Sequence, residues 1–287
     1  MTPPRTERYG LAVTIAGTFL FVPDATVIRL AGADPMDMAL WRSLFGCAAT
    51  GLGIALFARH LMPTRAQLLQ IPTLIFVLLH GVSSVLFLAA LARTSVANTL
   101  LMSATAPFLA ALMSWVVLGE RPDRVTGYGI AVVFGGVGII ASGTSGGGAL
   151  LGDLMAFGAA VAMAAYYVVL RHQGSFSLIV PSTLGFLLTA LIALPFAPML
   201  PMTAGQIGLT FLSGAVLLAG GSALLIIAPR YLPAAEVSMI TLMESVASPL
   251  VVWAVLREYP GDRSVLGGAV IFAALTAHTL WRWRRTG

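Results

Sequence analysis

The sequence contains no lysine, one cysteine and few charged residues of either sign. Its 16 basic residues are all arginines, and with 11 acidic residues they make up only 9% of the 287 residues. A soluble domain usually carries about 25% charged residues, so this chain cannot cover a globular surface in water. Cys47 has no second cysteine for an intrachain disulfide. Because the arginines are scattered between apolar runs, the net charge of +5 does not indicate a nucleic-acid-binding protein.

Apolar residues make up 58% of the chain, and its mean hydropathy is +0.93. A membrane-spanning helix needs about 20 mostly apolar residues, and ten segments meet or approach that length. They cover residues 9–28, 38–57, 68–91, 96–118, 125–141, 150–170, 178–197, 207–228, 234–256 and 265–280. The runs are continuous, whereas the strands of a membrane barrel alternate over about ten positions. The sequence therefore predicts an all-α integral membrane protein with ten transmembrane helices.

The chain repeats itself after 138 residues, and seven of the 26 residues at 97–122 are identical to those at 235–260. The identical pairs are Ala97/Ala235, Leu112/Leu250, Trp115/Trp253, Val117/Val255, Leu118/Leu256, Glu120/Glu258 and Pro122/Pro260. A Trp, an acidic residue and a Pro in common register indicate an internal repeat. The Gly/Ser stretch at 142–148 separates five spans from five. Two five-helix repeats are therefore predicted, over residues 1–145 and 146–287.

The arginines are unequally distributed between the two sides of the membrane. With the N-terminus inside, eleven arginines fall on the cytoplasmic side and five on the outer side, which is a positive-inside bias. The outer set is Arg29, Arg42, Arg93, Arg257 and Arg263. Both termini are therefore expected in the cytoplasm, and an odd number of spans per repeat gives the repeats opposite topology. Secondary transporters often have such inverted repeats, with the substrate site between them near the midplane.

Glu244 is the acidic residue with the least access to water in this arrangement. It lies ten residues after Ala234, about 15 Å along a helix and close to the middle of a bilayer core of about 30 Å. Thr241 and Ser248 share its helix face. The carboxylate either faces a substrate cavity, where it would bind an amine or a proton, or is protonated and bonded to a neighbouring helix.

Arg42 begins the apolar core of the second span. Its side chain either extends to the lipid headgroups or faces a cavity, where the planar guanidinium would suit a carboxylate. Trp41 beside it fits a membrane-interface belt or a ligand-stacking role.

Four further polar or aromatic residues are candidates for lining a cavity. His80 lies midway along the third span with Ser84 one turn later, and either residue could equally be packed against a neighbouring helix. Asn98 lies near a helix start, where capping is the alternative, and Tyr166 could instead pack against lipid. Asp24, after Pro23, is expected at the outer interface, with the proline bending or ending the helix.

Small residues recur every fourth position on three predicted helices, which favours close helix packing in lipid. They are Gly127, Ala131 and Gly135 in the fifth, Ala215, Ala219 and Ala223 in the eighth, and Ala269, Ala273 and Ala277 in the tenth.

The sequence has no HExxH pair, nucleophile elbow or phosphate-binding glycine loop. No cofactor or metal is therefore expected, and an intramembrane enzyme is not favoured.

Several motifs resemble the EamA domain of the drug/metabolite transporter superfamily over essentially the whole chain. They are Ala92-Arg-Thr-Ser-Val-Ala-Asn, Pro107, Gly119-Glu120-Arg121, Gly127-Tyr-Gly, Met38-Ala-Leu-Trp-Arg42, Arg230-Tyr-Leu-Pro-Ala-Ala-Glu, Glu244-Ser-Val and Glu258-Tyr-Pro. The resemblance implies ten helices in two inverted five-helix repeats around a central cavity, with alternating access. Two positions depart from the family pattern: Arg257 stands where Gly is usual, and Ser245 stands where Pro is frequent.

The resemblance implies export of small metabolites across a bacterial inner membrane. Amino acids are favoured, above all aromatic or apolar ones, because the candidates combine few charges with Trp, Tyr, Met and Ser. The proposed substrate-binding set is Trp41, Arg42, His80, Ser84, Asn98, Met102, Tyr166, Thr241, Glu244, Ser245 and Ser248. Proton coupling through Glu244 or His80 and uncoupled flow both stay open, as does the oligomeric state. The alternatives are efflux of drugs or other cationic compounds, a passive channel and an intramembrane enzyme.

Overall fold

The computed structural model describes residues 4–57, 59, 62–122, 124–143, 147–171, 178–228, 231–232, 234–259 and 261–286. Every regular element in this part of the chain is helical, as the continuous apolar runs predict. A segment surrounded by lipid must satisfy its own backbone hydrogen bonds, which a helix does internally. Nine helical segments within the described residues are long and apolar enough to cross a membrane. The chain is therefore a multi-pass membrane protein.

The helices fall on both sides of the Gly/Ser stretch. The first half contains α1 (Pro4–Phe21), α2 (Asp24–Ala31), α3 (Pro35–Phe57), α4 (Arg65–Leu68), α5 (Ile71–Leu91), α6 (Val96–Ser103), α7 (Ala106–Leu118) and α8 (Arg124–Gly143). The second half contains α9 (Gly147–Arg171), α10 (Ile179–Ala193), α11 (Ala204–Phe211), a π-helical segment (Leu212–Leu218), α12 (Ala219–Ile227), α13 (Ala234–Leu256) and α14 (Asp262–Thr286).

Three of the spanning segments are irregular near their middles. α1 and α2 form one span, Arg8–Ala31, which is interrupted at Pro23 as expected. α6 and α7 form the span Val96–Leu118, which breaks just before Pro107. The span Ala204–Ile227 is continuous but contains the π-helical turn. Such interruptions expose backbone groups inside a membrane protein and often accompany binding sites.

The lengths of three helices bear on the predicted spans. The fifth and tenth predicted spans, 125–141 and 265–280, are shorter than the length of about 20 residues that a span needs. The corresponding helices are longer: α8 has 20 residues and α14 has 25. α14 continues through Trp281 to Thr286, because Trp and Arg extend a helix into the membrane interface. Within α13, Ala247–Leu256 is a shorter apolar helix. The count of ten spans therefore stays a prediction.

The turn after α13 has the backbone geometry of the turn after α7. Gly119 ends α7 with φ +73°, and Arg257, its counterpart 138 residues later, has φ +55°. A residue with a Cβ is strained in this left-handed region by about 1–2 kcal/mol. The repeated turn is therefore kept although an arginine replaces the glycine.

Helices of the two halves interleave. α5 packs along α9, α8 along α14, α1 along α12, and α10 against both α3 and α5. α8 and α14 approach most closely at two glycines: a Cβ on Gly267 would lie 2.6 Å from the carbonyl oxygen of Gly136. The two halves therefore share their helix interfaces.

The predicted packing face of α8 was wrong. A Cβ on Gly127 or Gly135 would meet nothing within 4 Å, and Ala131 is exposed. The face that packs carries Val133 and Gly136, and α14 likewise turns Ala269, Ala273 and Ala277 away from its buried residues. Spacing of four recurs on more than one face of a glycine-rich helix, so spacing alone does not identify the buried one.

Candidate functional site

α2 begins at Asp24, inside an apolar span. Pro23 ends the preceding helix, and Asp24 lies in the first turn of α2, where the helix dipole favours a negative charge. The sequence placed Asp24 at the outer interface, and this was wrong because only 7% of Asp24 is exposed. It lies seven residues before Ala31, the end of the span, or about 10 Å at the helical rise.

Arg42 of α3 holds Asp24 in a buried ion pair. Arg42 Nη2 lies 2.5 Å from Asp24 Oδ2, and Arg42 is only 4% exposed. Ser213 completes a triangle: its hydroxyl accepts from Arg42 Nε at 2.8 Å and donates to Asp24 Oδ1 at 2.6 Å. Arg42 therefore does not extend to the headgroups. Its carboxylate partner is a residue of the same chain.

The π-helical segment brings Ser213 to the ion pair. Ser213 and Gly214 are buried at its start, and a Cβ on Gly214 would overlap the backbone carbonyl of Arg42. Gly46, one turn after Arg42, lies against the carbonyl oxygen of Gly214, which a Cβ would approach to 3.2 Å. Two glycines thus let α3 and the second half meet backbone to backbone. π-helical turns occur frequently at functional sites.

His80 of α5 lies among aromatic rings. Its ring centroid is 5.7 Å from that of Phe76, 5.8 Å from Tyr166 and 5.3 Å from Phe186. Gly185 of α10 makes room, because a Cβ there would overlap His80 Nδ1. Within the described residues that nitrogen is buried without a hydrogen-bond partner. These rings form an aromatic wall, made of Phe76, His80, Tyr166 and Phe186, from both halves.

Glu244 lies in the middle of α13 and is half-buried. In the part of the chain that the structure describes, its carboxyl has neither an ion-pair partner nor a hydrogen-bond donor. Thr241, one turn earlier, donates to the carbonyl of Val237 at 3.1 Å. Ser248, one turn later, is 1% exposed, and its hydroxyl has no partner among the described residues.

The ion pair, Glu244 and the aromatic residues lie in one region. α13 packs against α2, α3 packs against α5, and α5 packs along α9. This region, the central cluster, therefore combines α2, α3, α5, α9 and α13. It unites residues predicted from distant parts of the sequence.

Other predicted site residues have different surroundings. Trp41 is 38% exposed and lies beside Phe45, with ring centroids 6.4 Å apart. Ser84 donates to the carbonyl of His80 in its own helix at 2.9 Å. Met102 is 1% exposed and belongs to an apolar core cluster. The side chain of Ser245 lies outside the described part of the structure.

Asn98 belongs to a second buried polar group. Its Nδ2 donates to Asp153 Oδ1 at 3.2 Å, and Thr94 Oγ1 donates to the same oxygen at 2.6 Å. Ser95 caps the helix by accepting from the Asn98 backbone N–H at 3.0 Å. Asn98 therefore stabilises the junction of α6 and α9, and its predicted capping role belongs to Ser95.

Asp153 and Ser213 were missed by sequence reasoning, and Asp24 was identified but assigned to the outer interface. Asp153 lies seven residues into the apolar helix α9, and an ionisable residue inside an apolar run is itself a signal of function. The same signal applied to Asp24. Ser213 gives no such signal, because serine is common in membrane helices and only the π-helical turn brings it to Arg42.

At one end of the molecule, contacts join the two halves. Glu258, after α13, accepts from the backbone N–H of Val96 at 3.2 Å and lies 3.8 Å from Arg29 Nε. Arg29 Nη1 donates to the carbonyl of Leu91 at 2.5 Å. Asp37 of α3 accepts from two backbone N–H groups after α10, those of Met199 at 3.0 Å and Leu200 at 3.1 Å. These contacts lie on the side predicted to be outside.

Among the described residues, no group of three or more His, Cys, Asp or Glu side chains could hold a metal ion. The site therefore consists of one neutralised ion pair, one carboxyl and an aromatic wall.

A family model described as the EamA-like transporter family matches residues 9–142 and 150–279. No match was found among curated proteins. Sixteen solved chains are similar. One of them, titled "Crystal structure of protein", has a TM-score of 0.64 and 18% sequence identity, over 95% of this chain and 96% of that chain. Similarity at this identity shows a shared fold.

Proposed function

Because the chain belongs to the EamA-like transporter family, we propose that it is a secondary transporter that exports small metabolites by alternating access. Amino acids are the favoured class, above all those with an aromatic or apolar side chain. The observation that carries this proposal is the central cluster, which combines Glu244 in the middle of α13, packed against α2, with an aromatic wall built by both halves. A ring and an amine on one small molecule would match these two features.

The proposed architecture is a pair of inverted repeats, residues 1–145 and 146–287, with both termini in the cytoplasm of a bacterial inner membrane. The arginine asymmetry supports this orientation. The contacts of Glu258 and Arg29 also support the inverted arrangement, because they bring the ends of α2, α5 and α13 together with the start of α6. The interrupted spans supply flexible points near the midplane.

We assign solute binding to His80, Tyr166 and Glu244. Tyr166 and His80 would stack on the solute, and the Glu244 carboxyl would accept from its amine. Efflux of cationic compounds is the second candidate function, because Glu244 has no cationic partner within the described residues.

Counterflow of labelled phenylalanine in liposomes, measured with purified protein, tests transport. Saturable counterflow of the unmodified solute is the expected result. A covalently altered product would indicate an enzyme, and flux too fast for alternating access would indicate a channel. A thermal-shift screen of amino acids and cationic drugs would rank ligands, since a ligand that binds only the native state raises its apparent stability.

Proton coupling is proposed through Glu244 or His80. Glu244→Gln keeps the shape but cannot titrate, so we expect the flux to lose most of its pH dependence. Glu236→Gln, in the first turn of the same helix, is the matched control and should keep it. If Glu244→Gln leaves both flux and pH profile unchanged, Glu244 is structural.

A further inference from the structure

The guanidinium of Arg42 is already occupied by the protein. Two of its three nitrogens are engaged, Nη2 by Asp24 and Nε by Ser213, and only 4% of the residue is exposed. Both carboxylate oxygens of Asp24 are also engaged, Oδ2 by Arg42 and Oδ1 by Ser213. The pair is therefore electrically neutral and satisfied from both sides.

A solute carboxylate could pair with Nε and Nη2 of Arg42 only by displacing Asp24 and Ser213. Displacement would leave the Asp24 carboxylate without its cation in an apolar surrounding, where an unpaired charge is strongly unfavourable. The N-terminus of α2 further stabilises the charge of Asp24 in its present place. A solute anion would therefore compete with an optimally placed group of the chain.

The remaining acidic side chain at the centre is that of Glu244. Glu244 is half-buried and, among the described residues, has no cation within ion-pair distance. In the aromatic wall, the ring centroids of Tyr166 and Phe76 lie 5.3 Å apart, and an aromatic face attracts a cation. Both features favour an ammonium group over a carboxylate.

We infer that the site selects solutes by their amine and does not read their carboxylate, because Asp24 of the same chain already supplies a carboxylate to Arg42. Asp24 and Ser213 act as positioning residues. Asp24 compensates the positive charge of Arg42, and Ser213 hydrogen-bonds to both partners, so that Arg42 does not attract the solute carboxylate. The preferred class is an amphipathic aromatic or apolar amine, including amino acids, while free organic acids are rejected. This inference rests on the proposed function, since it specifies the solute of the same site.

Three matched compounds test it: L-phenylalanine, 2-phenylethylamine, which lacks the carboxylate, and 3-phenylpropanoate, which lacks the amine. Each is assayed for thermal stabilisation of the purified full-length protein and for inhibition of phenylalanine counterflow. We expect the amine to bind at least as tightly as the amino acid and the acid to bind about tenfold more weakly or worse.

Equal or tighter binding of the acid would overturn the inference, and so would the absence of any stabilisation by the amine. Stabilisation by the amine without any counterflow would instead overturn the proposed transport and leave the amine preference standing. The two failures are therefore distinguishable in one set of assays.

Variants of the ion pair test whether Asp24 prevents Arg42 from binding the solute carboxylate. Asp24→Asn frees Arg42 and should raise binding of 3-phenylpropanoate by about tenfold, whereas Ser213→Ala keeps the ion pair and should not. If Asp24→Asn does not fold, the double variant Asp24→Asn/Arg42→Gln removes both charges together and should retain the amine-over-acid preference. Weaker binding of 3-phenylpropanoate to the double variant than to the unmodified protein would show that Arg42 reads the solute.

Discussion

The carboxylate of Glu258 accepts a hydrogen bond from the backbone N–H of Val96 at 3.2 Å, across 162 residues of sequence. Val96 is the first residue of α6, and its N–H belongs to the group that a helix leaves unsatisfied at its start. Arg29, 3.8 Å from the other carboxylate oxygen, adds an ion pair that is partly exposed. Glu258 thus joins the end of a second-half helix to the start of a first-half helix.

Removing this carboxylate should open the outer end of the protein. The lost cap is worth about 0.5–2 kcal/mol, and we expect Glu258→Ala to speed labelling of Ala97→Cys by about fivefold. The measurement uses a membrane-impermeant thiol reagent on cells, in a Cys47→Ser background. Glu120→Ala, its repeat counterpart, is the control and should not speed labelling from outside. Equal rates with and without Glu258 would mean that the contact does not hold this end closed.

Gly214→Ala should destabilise the protein. The added methyl group would overlap the carbonyl of Arg42, and overpacking of this kind costs about 1–3 kcal/mol. A lower thermal midpoint in detergent is therefore expected. Gly138→Ala is the matched control, because a Cβ there meets nothing within 4 Å. A midpoint unchanged by Gly214→Ala would contradict the backbone contact between α3 and the π-helical segment.

Arg257→Gly should stabilise the protein, because glycine adopts the left-handed backbone at φ +55° without steric strain. The gain is limited to about 1 kcal/mol by the strain released. Arg257→Ala removes the same charge but keeps the Cβ, so its midpoint should not rise. Thermal unfolding of both variants separates backbone strain from charge, and equal midpoints would show that strain plays no part.

Cysteine labelling tests the inverted topology. In a Cys47→Ser background, a cysteine at Glu120 should react only after the membrane is permeabilised, whereas a cysteine at Glu258 should react from outside. Arginine asymmetry is the physical reason, since arginines concentrate on the cytoplasmic side. Labelling of both positions from the same side would remove the inverted repeat.

The sequence predicts the helical fold well because lipid imposes one simple requirement. A run of about 20 apolar residues must form a helix to satisfy its backbone, and the run containing Pro23 is interrupted there as predicted. The ends of α14 were predicted less well, because Trp281 and the arginines after it extend the helix without being apolar.

The partners of individual side chains could not be predicted from the sequence in the same way. Arg42 was assigned either to the headgroups or to a solute, yet it pairs with Asp24. Ser213 joins this pair because the π-helical segment brings it alongside, and nothing in the residues of that segment marks a π-helical turn. Glu244 and His80 were identified because ionisable groups are rare within apolar runs.

The triangle of Asp24, Arg42 and Ser213 has a consequence for how the protein moves. α2 and α3 belong to the first half, but Ser213 belongs to the second. A displacement of one half against the other would break both hydrogen bonds of Ser213, whereas a body that carries α2, α3 and the π-helical segment together would leave them intact. Under the proposed alternating access, the moving body is therefore expected to differ from the repeat seen in the sequence.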